Sequence, residues 1–446
     1  MLKHPISTIF SFQGLYVAFF IAVVFYGQLR LMFGLTPRHI AIVVMLIACM
    51  RQDIPFPMGR IMKAYFVFIL AYLVSATITG YIGNVLITYY IGVCAGLWAT
   101  KILVVKYHAG SLLLNLLIVL GVLDALVTVG QTFNMSFTDK LIDFFQLRLP
   151  QRYLDKMEVE GSEDMALMLT RPGLFLSAVY NGYFLMTAGV VSLKLFTHKL
   201  WIQRFIPWTI ISFGCICVQE RGPIVILMLL SALAFYKIPI IKRRNYALFI
   251  LLFIIIIQSI VGSVDSLLRV SETNITETHR TFTTYYDDEE DDESGSNTWN
   301  KYSQFAKESR FADVGFNDPG REDIYRQTID YLMDHPIIGG SHRLHDKYDI
   351  YPHNLFLLAF CYGGFVGGIA IMLILFWQVI PLWRVISKKI VDTNPVCFFT
   401  ALAYLAYTLN SLVHNRSIVT GDEVIWMLWA VFFFEYIKFY KQDTRL

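Results

Sequence analysis

Runs of uncharged, apolar residues long enough to cross a bilayer recur along this chain, and no other feature restricts its fold so severely. Leu248 to Val264 and Leu355 to Leu382 are the plainest cases, and a helix needs roughly 20 apolar residues to cross about 30 Å of hydrocarbon. Inside lipid every backbone N–H and C=O must be satisfied within the protein, so helices and closed barrels are the only solutions. A barrel shows short alternating segments, whereas these runs are continuous. Hydropathy places spans near 10–29, 36–50, 62–81, 84–104, 111–130, 174–193, 205–219, 222–237, 246–264, 355–383, 395–412 and 422–438. The expected fold is all-α, a polytopic helical membrane protein of about 12 transmembrane helices. Composition agrees: 56% of the 446 residues are hydrophobic and 16% charged, more apolar surface than a soluble core absorbs. A net charge of +3 with no soluble basic domain argues against a nucleic-acid partner.

The charges that remain are unevenly shared. Segments on one side of the spans collect Arg51, Arg60, Lys63, Lys101, Lys106, Lys194, Lys199, Arg204, Lys237, Lys242, Arg243, Arg244, Arg384, Lys388 and Lys389. The short links on the other side carry Arg30, Arg38, Arg221 and Arg416. Lysine and arginine mark cytoplasmic segments, so the N-terminus is expected inside. The first apolar run follows Lys3 without a small-residue cleavage pattern and is read as a retained span. The expected organisation is spans one to five in 1–130, an outer loop over 131–173, spans six to nine in 174–264, a large outer loop over 265–354, and spans ten to twelve in 355–446.

Loops of this length are usually functional or disordered. The large one is polar over 271–300, where Asp287 to Glu293 is unbroken acid. Without spaced ligands and a turn glycine this run reads as a solvated linker, not a cation site. Further on, Asp318 as cap, Pro319 at the first position, Ile324, Thr328, Ile329 and Leu332 at helical spacing, and His335-Pro336 as a stop predict a short amphipathic helix. Leu141, Phe144, Phe145 and Leu149 predict a similar piece in the first loop. All six cysteines fall in apolar runs and read as small core residues, with no disulfide framework for the loops.

With this topology Arg171, Arg221, Arg321 and His353 share the outer side. Arg221 stands in a tight turn between two apolar spans, where a guanidinium is costly unless it meets an anion; Glu220 beside it is one such anion and a phosphate another. The sequence around these residues resembles the O-antigen polymerase and O-antigen ligase superfamily of bacterial membrane glycosyltransferases. His353-Asn354, nine residues, then Gly364-Phe365-Val366-Gly367 is similar to that family's signature, as are Gly320-Arg321 leading to His335-Pro336-Ile337-Ile338-Gly339-Gly340, Arg221-Gly222, and Arg171-Pro172-Gly173 with Asn181-Gly182. Phe175 replaces the family's leucine, and Glu220 its small polar residue.

The resemblance implies a GT-C-like membrane enzyme of the bacterial inner membrane with periplasmic loops. It implies a glycan donor linked to undecaprenyl diphosphate, transferred to a lipid-linked glycan or to lipid A-core, among membrane lipids and with a chain-length regulator as a further partner. His353 is then the catalytic candidate. Arg221, Arg171 and Arg321 are the diphosphate-binding candidates, because guanidinium forks match phosphate oxygens. Asn354, Arg343 and His342 are substrate-binding candidates. No cofactor and no metal are expected, since His342, His345, Asp346 and His353 match no recognised ligand spacing. Gly364 and Gly367 are expected on one face of span ten, packing it closely under the site. The expected function is polymerisation of O-antigen or capsule repeat units, with ligation the nearest alternative and transfer to protein a third. Outside this class stands a glycolipid flippase or secondary transporter. Such proteins carry ionisable residues within spans; here Asp124 is the clearest one, and no inverted repeat is visible.

Overall fold

The computed structural model describes residues 11–26, 36–80, 84–132, 135, 137–138, 140–141, 173–175, 178–197, 201–218, 220–237, 319–340, 352, 354–387, 393–413 and 417–443. Among these residues the chain is all-helical, without strands. The helices are α1 (Phe12–Val24), α2 (Pro37–Met50), α3 (Arg60–Thr79), α4 (Asn84–Val105), α5 (Ser111–Thr132), α6 (Ala178–Ser192), α7 (Trp201–Val218), α8 (Arg221–Lys237), α9 (Pro319–Asp334), α10 (Leu355–Ser387), α11 (Pro395–Ser411) and α12 (Glu423–Asp443). A short 3-10 turn, Leu193–Thr197, extends α6. Eleven of these helices occupy expected spans and α9 is the expected loop helix; the span expected at 246–264, the Asp318 cap and most of the first-loop helix lie outside the described residues.

Local chemistry sets the helix limits. Ser11 caps α1 by accepting from Gly14 N at 3.1 Å, and Thr36 with His39 closes a capping box ahead of Pro37. Gly80, at φ 74, terminates α3 in the left-handed region. Asn394 accepts from Cys397 N at 3.0 Å before Pro395 starts α11. Four segments, Arg60–Thr79, Ile87–Val105, Ser111–Thr132 and Leu355–Ser387, are long and apolar enough to cross a membrane.

The chain forms two compact units, one of Met1–Val119, Val190–Leu200 and Asn317–Leu446, the other of Leu120–Gly189 and Trp201–Phe316. In the first unit α3 packs along α10, and α12 lies against α4 and α11. Its core is aromatic: Tyr65 lies 4.4 Å from Trp426, and Tyr72 lies 5.6 Å from Tyr90 and 5.7 Å from Tyr362, ring to ring.

Polar contacts in this unit sort to two ends. At one, Arg38 makes a buried ion pair with Glu423 and stacks 3.4 Å from the Tyr89 ring centroid. Nearby, Tyr90 Oη donates to Val419 O at 3.1 Å. Arg38, expected in an outer link, is therefore a buried residue of α2's first turn. At the other end Trp98 Nε1 donates to Ile54 O (2.8 Å), Lys101 Nζ to Pro55 O (2.7 Å), Lys106 Nζ to Gln52 Oε1 (2.9 Å) and Lys438 Nζ to Val104 O (2.6 Å). Helices that alternate in direction produce this sorting, and it gathers Lys101, Lys106 and Lys438 at one end.

In the second unit small residues let the helices approach. A β-carbon on Gly121 would lie 2.5 Å from Ala188 Cβ, and one on Gly214 would lie 2.6 Å from Ala125 Cβ. Packing of this kind replaces the hydrophobic drive that lipid surroundings remove.

Candidate functional site

The two halves of the large-loop signature meet at a break in α10. The helix runs 33 residues, about 50 Å at 1.5 Å per residue, too long for one straight crossing. It is interrupted at Gly363 (φ −123, ψ 15) and Gly364 (φ 59, ψ −158). In an unbroken helix Phe365 N would donate to Cys361 O. Here Phe365 N donates to Pro336 O at 2.9 Å, and Cys361 O accepts from Gly340 N at 2.8 Å. One helical rung is thus exchanged for two bonds to the segment that follows α9.

The exchange requires both glycines. Gly339 has φ 70, and a β-carbon on it would lie 2.7 Å from Cys361 O and from Gly364 N. On Gly364 a β-carbon would strike the Ile337 carbonyl. The expectation that Gly364 and Gly367 share a helical packing face is corrected: Gly364 supplies a backbone conformation, while Gly363 and Gly367 approach α3, with Ala71 Cβ at 3.4 Å and Phe68 Cδ2 at 3.3 Å from their would-be β-carbons. Ala71 lies nine residues before Gly80, so Gly363, at the break in α10, lies beside α3 about 13 Å from that helix's end. Irregular backbone at such a level is tolerated when its polar groups find partners; here Gly339 N donates to His335 O, Gly340 N to Cys361 O, and Pro336 O accepts from Phe365 N.

α9 carries Arg321 in its first turn and buries Thr328; the exchange fixes its far end to α10. At the start of α10, Asn354 Oδ1 accepts from Phe356 N (2.9 Å) and Leu357 N (3.2 Å), while Nδ2 donates to Leu412 O (3.2 Å). Asn354 is thereby a helix cap tied to the end of α11, directly after His353 in the chain. His353, His342, Arg343 and Arg171 lie outside the described residues, and for Arg221 and Arg321 only the backbone is described.

In the second unit α6 gathers residues 173–175, which follow Arg171 in the chain, and residues 220–223, which include Arg221. Gln131 Oε1 accepts from Gly173 N at 2.9 Å and its Nε2 donates to Gly173 O at 3.3 Å. Asp124 Oδ1 accepts from Leu174 N at 2.7 Å. Asn181 Nδ2 donates to Thr128 Oγ1 at 2.8 Å, closing the cradle from α6. Gly173 has φ 60, and a β-carbon there would lie 2.6 Å from Asn181 Nδ2 and 2.8 Å from Thr128 Oγ1. Phe175 is buried with its ring 5.1 Å from Phe184, so the aromatic replacement serves as an apolar anchor.

One residue further along α6, a β-carbon on Gly182 would lie 3.2 Å from Pro223 Cγ and 3.3 Å from Glu220 Cβ. Asn181 and Gly182 thus hold the 173–175 and 220–223 segments on the same helical turn. Two residues separate α7 from α8, which is the expected tight turn, and Glu220 in it is buried. Arg221 opens α8, with Pro223 in the first turn where its missing N–H costs nothing.

Sequence reasoning named Asp124 only as an isolated ionisable residue and missed Thr128 and Gln131. The signal was present as a polar stripe at i, i+4 and i+7 on an otherwise apolar helix. Among the described residues no three His, Cys, Asp or Glu side chains gather as metal ligands.

Residues 206–372 match the O-antigen ligase family. The matched stretch contains Arg221, α9 with Arg321, His353 and the Gly364 break. No curated protein matches the chain.

Proposed function

We propose that this chain, a member of the O-antigen polymerase and ligase superfamily through residues 206–372, is a polysaccharide polymerase. It transfers a glycan from undecaprenyl diphosphate to the terminal sugar of a lipid-linked acceptor, at the periplasmic face of the bacterial inner membrane. The observation that carries this reading is the main-chain exchange between residues 336–340 and 361–365. It ties the helix bearing Arg321 to the helix that begins beside His353, which a loop acting only as a solvated connection would not need.

In this scheme His353, as a neutral imidazole, accepts the proton of the acceptor hydroxyl while that oxygen forms a bond to the donor's anomeric carbon. The bond from that carbon to the diphosphate oxygen breaks, and its electron pair leaves with undecaprenyl diphosphate. Arg171, Arg221 and Arg321 hold the phosphate oxygens and offset the growing charge. Displacement in one step inverts the anomeric centre. His342 and Arg343, near His353 in sequence, contact the sugars.

The matched family is described by ligation, which favours one second reading: the same donor chemistry with lipid A-core as acceptor. Purified protein supplied with lipid-linked repeat units lengthens them if it is a polymerase. A deletion strain then displays single repeat units on its surface. Accumulation of long lipid-linked chains in that strain would instead identify a ligase, and solute flux without any glycan transfer would remove the enzyme reading.

A further inference from the structure

Nothing in the transfer chemistry uses Asp124, although a buried carboxyl on an apolar helix is expensive unless it has a specific partner. Its partner is main chain. Asp124 Oδ1 accepts from Leu174 N at 2.7 Å, and Gln131, seven residues further on α5, brackets Gly173 through the oxygen and the nitrogen of its side-chain amide at 2.9 and 3.3 Å. Thr128 lies between them and is itself held by Asn181. Two side chains of α5, one of them its only Asp, are therefore committed to the main chain of Gly173 and Leu174, with Thr128 and Asn181 bonded to each other beside Gly173. The left-handed Gly173 leaves no room for a side chain inside the cradle. Two peptide units connect Gly173 to Arg171, so covalent geometry keeps the two Cα atoms within roughly 7 Å.

We infer that Asp124 and Gln131 are positioning residues for Arg171: they fix the backbone of residues 173–174 so that the Arg171 guanidinium meets the lipid diphosphate. The inference rests on the proposed role of Arg171 and deepens it. A side chain that binds phosphate gains little if its own backbone must be ordered at each encounter, because that ordering subtracts from affinity. A cradle formed in advance removes the cost. Asp124 acts through acceptance of the Leu174 N–H, and an asparagine oxygen does the same.

The test measures affinity of the purified full-length protein, in detergent, for undecaprenyl diphosphate. Arg171→Ala and Asp124→Leu each weaken binding about ten- to hundredfold, the range of one lost charge-assisted hydrogen bond. The double variant binds no more weakly than Arg171→Ala, and Asp124→Asn stays within about threefold of the parent, because its side-chain oxygen still accepts. Independent losses that multiply in the double variant overturn the positioning role, as does parental affinity in Asp124→Leu. Where Asp124→Leu elutes as aggregate, Gln131→Leu replaces it under the same criteria. Parental affinity in Arg171→Ala strikes the reading of Arg171 itself, a result distinct from additive losses.

Discussion

Gly364→Ala separates a conformational role for this glycine from a packing role. Gly364 sits at φ 59, ψ −158, a region other residues occupy at a cost of about 1–3 kcal/mol. Its new methyl would also lie 2.6 Å from the carbonyl carbon of Ile337 and 2.8 Å from that of Ile338, main-chain atoms that cannot rotate aside. Relief requires residues 336–340 to leave, breaking Phe365 N to Pro336 O (2.9 Å) and Gly340 N to Cys361 O (2.8 Å). Each buried group left unpaired costs about 1–3 kcal/mol, although α10 recovers part of this by re-forming its own rung. With Pro336 O and Gly340 N left unpaired, the sum is roughly 3–9 kcal/mol, against the 5–15 kcal/mol that holds a typical protein folded. The loop is displaced while the bundle persists.

Hydrogen exchange reads this directly. The Gly340 amide exchanges at least 100-fold faster in Gly364→Ala, since every 1.4 kcal/mol is a factor of ten, and glycan transfer falls with it. Gly367→Ala is the control: its β-carbon would lie 3.3 Å from Phe68 Cδ2, a ring that can shift, within regular helix where alanine is favoured. It should exchange and transfer almost as the parent does. Equal behaviour of the two variants would refute the reasoning and return Gly364 to the role of a small residue between helices.

His353→Ala leaves membrane insertion and thermal unfolding unchanged and lowers the transfer rate about 10²–10⁴-fold; polymer of normal length from that variant would remove His353 as the base. Arg38→Ala strands the buried Glu423 and costs about 3–5 kcal/mol, seen as a lower melting temperature in detergent, with an unchanged melt contradicting the assignment. Deletion of residues 287–293 preserves activity if the acidic run is a solvated linker, and loss of transfer in folded protein would give that run a function.

The spans were legible because lipid imposes one requirement on every residue of a crossing, and a run such as Arg60–Thr79 displays it without reference to the rest of the chain. The loop helix was legible for an equally local reason: Pro319 begins it and the Ile324, Thr328, Leu332 spacing marks its face. What could not be read were contacts between distant segments. Arg38 and Glu423 stand 385 residues apart, and charge counting alone placed Arg38 in a link. Asp124 and Leu174 stand 50 apart, so a carboxyl that anchors backbone looked like one that could serve transport. Gly364 failed for a subtler reason. A glycine inside an apolar run reports that something comes close, but a packing helix and an inserted loop leave the same letter.

The exchange at α10 uses main-chain atoms for both of its bonds, and this bears on how such a joint persists as a sequence drifts. Pro336, Ile337, Cys361 and Phe365 contribute a carbonyl, an amide or a close backbone passage, which almost any residue supplies. Gly339 and Gly364 alone are fixed by the absence of a side chain. A chain could therefore replace nearly every neighbouring residue and keep the joint. Two glycines separated by a histidine-bearing loop would then be the durable trace of shared ancestry, legible after the surrounding letters have become unrelated.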